Sequence, residues 1–594
     1  MTEETGMHYP QISADRSTKL WTQQFTGLDR RPRTGDGAFI AMGNMTGDPW
    51  PLLSSRKKRG IVAELKNPLG LYAMEKLAWI DGDTLYYGGE ATPIDSLSLE
   101  EGMLPKRMVS MGAYLLIFPD GVFYNTINPM DYGSVNRLYQ SPAGGTITYT
   151  LSDREGTAYP SDIASDTAPE NPQEGDYWLD TSGEVSALYV YGDGDWIAVL
   201  TAYIKISAPG IGVGVMPQDG VRLSGIAGGS TERVHAQLDL LNNTALVETV
   251  DDNWIVTPGI LDQNVTQTGR IRADRKIPDM DFIIECNNRL WGCRHGLQDG
   301  ETVNQIYACA LGDFKNWQKF SGTSQDSYSV NVGSDGAFTG AVNHRGRPYF
   351  FKEKVCHMIY GDRPSNWQMQ SSDVDGPQEG SGGTLAAYNG SLLYLSRHGV
   401  QLFDGMTQEK GEQLGERSMS GGAAAVCDNM YYLSVREGNT NSLYVMDCLR
   451  GRWTRQDDSA AVGFAVMRGE IYMLTKSGLL YALNGLDGQE EPGDVNWYAE
   501  TAEMGYEYQN YKYLRRFILR MELKQDAVCR LMIQYDGDGI WHDKGTMQGR
   551  AGVKTYLAPI IPRRCEHARI RIEGHGKMRL YGLGRELAIG GDGR

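Results

Sequence analysis

Five aromatic residues in one short stretch, Tyr177, Trp178, Tyr189, Tyr191 and Trp196, are of a type that can stack on sugar rings. An aromatic face meets the apolar face of a sugar while the polar tip of the side chain stays wet. The same rings would also serve as the core of a small module with few other large residues. A second set can be drawn as metal ligands, Cys293 and His295 near Cys286. Their spacing matches no common zinc pattern, and alternate positions along a strand account for it. A third set is cationic: Arg30, Arg31 and Arg33, then Arg56, Lys57, Lys58 and Arg59. Such clusters belong either to a solvated extended arm or to an arm that docks on an acidic partner or on a neighbouring copy of the chain.

Signals for catalysis are weak. The chain has no GxSxG elbow, no phosphate-binding Gly-Lys-Ser loop and no HExxH helix. The run Asp536-Gly537-Asp538-Gly539-Ile540-Trp541 echoes part of a calcium loop and part of a sialidase turn. It lacks the downstream Glu of the first and the Gly and Thr of the second, so it reads as a hairpin turn. With 74 acidic residues, neighbouring carboxylates arise by chance, and no glycosidase pair can be singled out. No catalytic residue, metal or cofactor is expected.

Length and charge narrow the rest. A chain of 594 residues exceeds one ordinary core and points to two to four domains. A net charge of −17 disfavours tight wrapping of nucleic acid, although passage of DNA is compatible with it. The stretch from Met1 to Asp15 is polar and of mixed charge, and no run reaches the ~18 apolar residues of a spanning helix. The eight cysteines form no CxxC pair and lie mostly in strand-like runs, as reduced, buried thiols made in a cytosol would.

The elements that must hold these residues are mostly strands. A phrase recurs, Gly312-Asp313-Phe314-Lys315-Asn316-Trp317-Gln318 and then Gly361-Asp362-Arg363-Pro364-Ser365-Asn366-Trp367-Gln368. Units that open on Gly or Asn turns and run into apolar strands carry Trp291, Tyr349, Tyr394, Tyr432 and Tyr472. Their spacing of roughly 40 to 60 residues is close to that of propeller blades. With two earlier units around Trp79 and Tyr114, the expected fold is mainly β, a propeller of six or seven blades interrupted by an inserted β region and followed by an antiparallel sandwich. The expected parts are an extended arm over 1–70, first blades over 71–140 and a small β module over 141–200. A β segment of platform or tube-wall type follows over 201–277, with a brief helix near Val234 to Leu241, then the main blades over 278–487 and the sandwich over 495–594. In the sandwich, Phe517, Leu519, Met521 and Leu523 alternate with Ile518, Arg520 and Glu522.

This order of parts, with the NRLWG phrase (288–292) and the GDFKNW phrase (312–317), resembles the tail nozzle (tail hub, or phage stabilisation) proteins of short-tailed bacteriophages. The resemblance spans most of the chain as architecture, and its specific phrases lie in 281–405 and 514–523. It implies a structural, non-enzymatic virion protein assembled in the host cytoplasm. It would form a homo-hexameric ring below the portal and adaptor rings, contact other tail proteins, retain packaged double-stranded DNA and conduct it without tight binding. No membrane insertion is implied. In that setting Arg30, Arg31, Arg33, Arg56, Lys57, Lys58 and Arg59 would form a docking element. The alternative is a host-surface or carbohydrate-binding tail protein that reads glycans through Trp178, Tyr189, Tyr191 and Trp196; a propeller glycosidase is the less favoured third.

Overall fold

The computed structural model describes residues 17–32, 34–95, 97, 106–298, 300–506, 512–561 and 563–589. It is mainly β, with one α-helix among the described residues. The chain divides into two compact units, Met1–Gly82 with Val374–Arg594, and Asp83–Asp373.

Four-stranded antiparallel meanders are the repeating element. In the second unit they are Arg107–Met111 to Tyr132–Ser134, Phe282–Glu285 to Tyr328–Asn331, and Phe338–His344 to Gln368–Asp373, each with its strands in chain order. In the first unit they are Ala386–Tyr388 to Thr407–Glu409, Met419–Cys427 to Arg452–Arg455, and Ala461–Met467 to Leu479–Ala482. The last of these has only three strands of its own, and Gly60–Glu64 completes it by pairing antiparallel with Leu479–Ala482. Another run of four strands covers 68–93, and the chain passes between the units at its Gly82-Asp83 turn. Seven runs of four strands make this a β-propeller repeat, at the upper end of the six or seven expected.

The physical reason for the repeat is a shared turn. In five runs the first and second strands are joined by two residues that both have positive φ: Asn287-Asn288, Arg345-Gly346, Asn389-Gly390, Asp428-Asn429 and Arg468-Gly469. A two-residue turn of this hand matches the twist of the flanking strands, and Asn, Asp and Gly tolerate it best. The sequence reading placed these turns at the opening of each unit. In the structure they lie one strand inside it, because each run begins with the strand before the turn, as Phe282–Glu285 precedes Asn287.

The inserted region of the second unit has its own core. Thr249–Asp251, Trp254–Pro258, Tyr203–Ser207, Ile147–Ser152 and Val265–Gln267 form one sheet in that order, and Thr244–Leu246, Gly220–Ser224 and Arg272–Asp274 form a second. Ile147, Tyr149, Ile204, Ile206, Leu238, Ile255 and Ile271 are fully buried between these sheets and the helix Glu232–Leu241. Thr231 caps that helix by accepting a hydrogen bond from Val234 N–H. The boundary expected at residue 141 is corrected here. Ile147–Ser152 belongs to the larger body, and the small module hangs between it and Tyr203–Ser207.

The C-terminal strands pack as two layers in the first unit. One layer runs Met45–Thr46, Leu53–Ser55, Met578–Ile589, Lys512–Leu523, Val553–Pro559. The other contains Ala38–Gly43, Asn496–Thr501, Ala568–His575, Val528–Tyr535 and His542–Gln548. Phe517, Leu519, Met521 and Leu523 all face the core, as their alternation requires. The extended docking arm expected over 1–70 is corrected for its described residues, 17–32 and 34–70; residues 1–16 lie outside the described residues. Ser17–Thr22 pairs with Met578–Ile589, and Ala38–Gly43 pairs with Asn496–Thr501, so this segment supplies strands to the sandwich.

Candidate functional site

The small module is one sheet. Tyr177–Asp180, Ala187–Gly192 and Asp195–Ala198 pair antiparallel, and Ala164–Ser165 adds in parallel to the first. The register sets Trp178 opposite Tyr189 and Tyr191 opposite Trp196. Side chains alternate along a strand, so these four aromatics share one face with Asp180, Ala187 and Ala198. The opposite face carries Leu179 and Leu188, buried against Leu151. Tyr177 lies on that inner side, with its ring 4.6 Å from Tyr159. The sheet therefore separates the two roles that the sequence left open: Tyr177 joins the core, and the other four lie on the outer face.

The four rings touch one another and stay half-buried. Trp178 and Tyr189 stack at 5.3 Å and 26°. Trp196 meets Trp178 edge-on at 5.6 Å and Tyr191 at 5.3 Å. Trp178 Nε1–H donates to the Ser165 carbonyl at 3.1 Å, which fixes that indole. The Trp196 indole N–H and the Tyr189 and Tyr191 hydroxyls have no protein partner among the described residues. Ala187 and Ala198 beside the rings are too small to cover them.

Carboxylates border the module. From residue 155 to 204 there are ten Asp and Glu and no Lys, Arg or His. This run was a signal available in the sequence. Asp180 shares the aromatic face, and hydrogen bonds from the Ser182 side chain and backbone hold its carboxyl below the usual range. Arg233 donates to the Thr181 carbonyl at 2.7 Å and pairs with Asp262 at 3.6 Å.

The cationic candidates are mostly used inside the fold of the first unit. Arg59 is 2% exposed and bonds to Gln456 and Asp457, each at 2.8 Å. Burial lowers its proton affinity, which Asp457 opposes. Arg30 bonds to Glu437 at 3.2 Å and to the Tyr444 hydroxyl at 2.7 Å. Arg56 pairs with Glu491 at 2.5 Å, and Lys58 reaches Glu490 at 3.9 Å. Arg31 is partly exposed and held by Asp29 at 2.6 Å. Lys57 is exposed and borders a cavity of about 670 Å³ that is also lined by Lys524, Lys577, Arg579 and Glu522. Arg33 lies outside the described residues. Of the six described, Arg30, Arg56, Lys58 and Arg59 are engaged by groups of the fold, and Arg31 and Lys57 are the exposed members.

Cys286 and Cys293 pack in an apolar cluster with Trp291 and Phe350. Burial pushes the Cys286 thiol up to about 12. All eight cysteines are free, and no group of three metal-ligating side chains occurs among the described residues. Asp536 and Gly537 form a hairpin turn at positive φ, and Asp536 accepts from the backbone N–H of Glu566 and His567.

No family model matches this chain. No curated protein matches it in sequence. Three solved structures show a distant likeness. The exo-β-1,3-galactanase of Phanerochaete chrysosporium is 9% identical, with 51% of this chain and 94% of that chain covered and a TM-score of 0.21. BamB of Moraxella catarrhalis is 8% identical, with 63% and 92% covered and a TM-score of 0.25. The computationally designed Ika8 protein is 10% identical, with 71% and 98% covered and a TM-score of 0.27. The fold assignment rests on the strand order described above.

Proposed function

We propose that the chain is a structural, non-catalytic subunit of a bacteriophage tail. Six copies form a nozzle ring below the portal and adaptor, which retains packaged DNA and conducts it during ejection. The observation that carries this reading is the order of parts. The β meanders are interrupted after the Arg107–Met111 to Tyr132–Ser134 sheet by a separately cored insertion, and a two-layer sandwich follows the last meander. This is the order on which the resemblance to tail nozzle proteins rests. The charge agrees with it: a wall on a chain of net charge −17 repels phosphates and lets a duplex slide. The insertion is the part free to supply ring contacts, since its core does not depend on the meanders.

Native mass spectrometry of the purified chain tests the reading. A six-copy species, strengthened by added portal or adaptor protein, is the expected result. Hydrolysis of a polysaccharide that is abolished by one Asp or Glu substitution would overturn it.

A further inference from the structure

The outer face of the small module is a half-exposed aromatic surface in the single chain. The geometry points to a binding platform for a neutral carbohydrate, built from Trp178, Tyr189, Tyr191 and Trp196. Three observations carry this.

The first is that the module does not need these rings for its core. Leu179, Leu188 and Tyr177 cover the inner side, and the four aromatics occupy the opposite face. Half-exposed indoles and phenols on a sheet are costly to leave wet without a partner, and they are the residues enriched where a protein binds. The two cross-strand pairs, Trp178 with Tyr189 and Tyr191 with Trp196, lie two residues apart on the central strand, roughly 7 Å along it. They form a strip wide enough for consecutive sugar rings.

The second is charge. The ten carboxylates and absent cations of 155–204 repel phosphates, sulfates and carboxylated glycans. Asp180 on the same face offers acceptor oxygens for sugar hydroxyls. The unpartnered Trp196 N–H and Tyr189 and Tyr191 hydroxyls offer donors.

The third is ring orientation. A lone cation is best held where several ring faces converge. Here Trp178 and Tyr189 are nearly parallel at 26°, and Trp196 makes edge-to-face contacts with Trp178 and Tyr191 at 61° and 66°. The nearly parallel pair offers a flat surface, which suits a sugar ring.

Affinity electrophoresis of the full chain in native gels containing dextran, laminarin, galactan or mannan tests this. At least one of the four is expected to retard the protein, with little change on adding salt. Trp196→Ala, whose indole N–H has no partner, should weaken the retardation at least tenfold while the melting temperature stays unchanged. Tyr191→Ala should act in the same direction, and Tyr177→Phe on the inner side should leave binding intact. The proposal is overturned if none of the four polysaccharides retards the chain, or if retardation survives Trp196→Ala and Tyr191→Ala together. It is also overturned if a trimethyl-lysine peptide binds the face and displaces the glycan. Ring assembly is read in a separate experiment, so the two proposals fail independently.

Discussion

The side-chain amide of Asn316 donates to the carboxylate of Asp219 at 3.2 Å, and both residues are 2% exposed. The same amide also reaches the Gln218 carbonyl at 3.2 Å, and Arg275 completes the carboxylate's pairing. Asn316 belongs to the first copy of the repeated phrase, and Asp219 belongs to the insertion. The first copy therefore latches the insertion to the sheet that follows it. The second copy does something else: Asn366 is exposed and closes its own turn onto Asp362. Its Trp367 packs on Trp291 at 4.8 Å.

Asn316→Ala leaves a buried carboxylate short of a donor, which costs about 1–3 kcal/mol. Hydrogen exchange should report it as faster exchange in Gly220–Ser224, whose strand starts beside the latch. Asn366→Ala removes exposed turn bonds and should cost under about 1 kcal/mol, without changing exchange in the insertion.

Lys106 and Asp120 form a buried ion pair at 2.6 Å, with side-chain exposures of 1% and 2%. Removing one partner strands the other charge, so Asp120→Ala should destabilise the second unit by about 3–5 kcal/mol. The double change Lys106→Met with Asp120→Leu should recover much of that loss in a urea melt. Equal stability of the single and double variants would contradict the pairing.

His357 is 1% exposed and sits between the Ser334 and Ser371 hydroxyls, each 2.8 Å from a ring nitrogen. Burial, helped by Lys352, lowers its pKa to about 4. The unfolded chain takes up this proton first as the pH falls from the usual value near 6.5. The stabilising contribution is thus complete above that pH and lost between about 6.5 and 4, on the order of 3 kcal/mol in all. His357→Gln should flatten the fall in melting temperature between pH 7 and pH 4.5. An unchanged slope would contradict the assignment.

The cationic cluster of 56–59 divides into structural and exposed members. Arg59→Ala leaves Asp457 and Gln456 without their partner and should cost about 3–5 kcal/mol. Lys57→Ala should stay within about 0.5 kcal/mol. If the exposed cations dock on an acidic ring protein, Lys57→Glu should weaken that association while leaving the fold intact. Pull-down with the partner and circular dichroism together check both parts.

Local chemistry made part of this legible in the sequence. The turn pairs Asn389-Gly390 and Asp428-Asn429 announce themselves because few other residues accept two positive φ angles in a row. The alternation from Phe517 to Leu523 announces a half-buried strand. The strand Ser17–Thr22 does neither, since its partners Leu583 to Ala588 lie more than 500 residues away and nothing local encodes that pairing. Long separation along the chain also hid the fate of Arg56 and Arg59, which read as surface charge until Glu491 and Asp457 are placed beside them. For the aromatic module, the residue types marked the site. Only the register could show that Trp178 faces out while Tyr177 faces in.

Negative-stain microscopy of the purified full chain tests the central claim most directly. The account predicts ring-shaped particles whose class averages show six subunits around an open channel. A monodisperse single-copy particle at every concentration, with and without portal or adaptor protein, would contradict it.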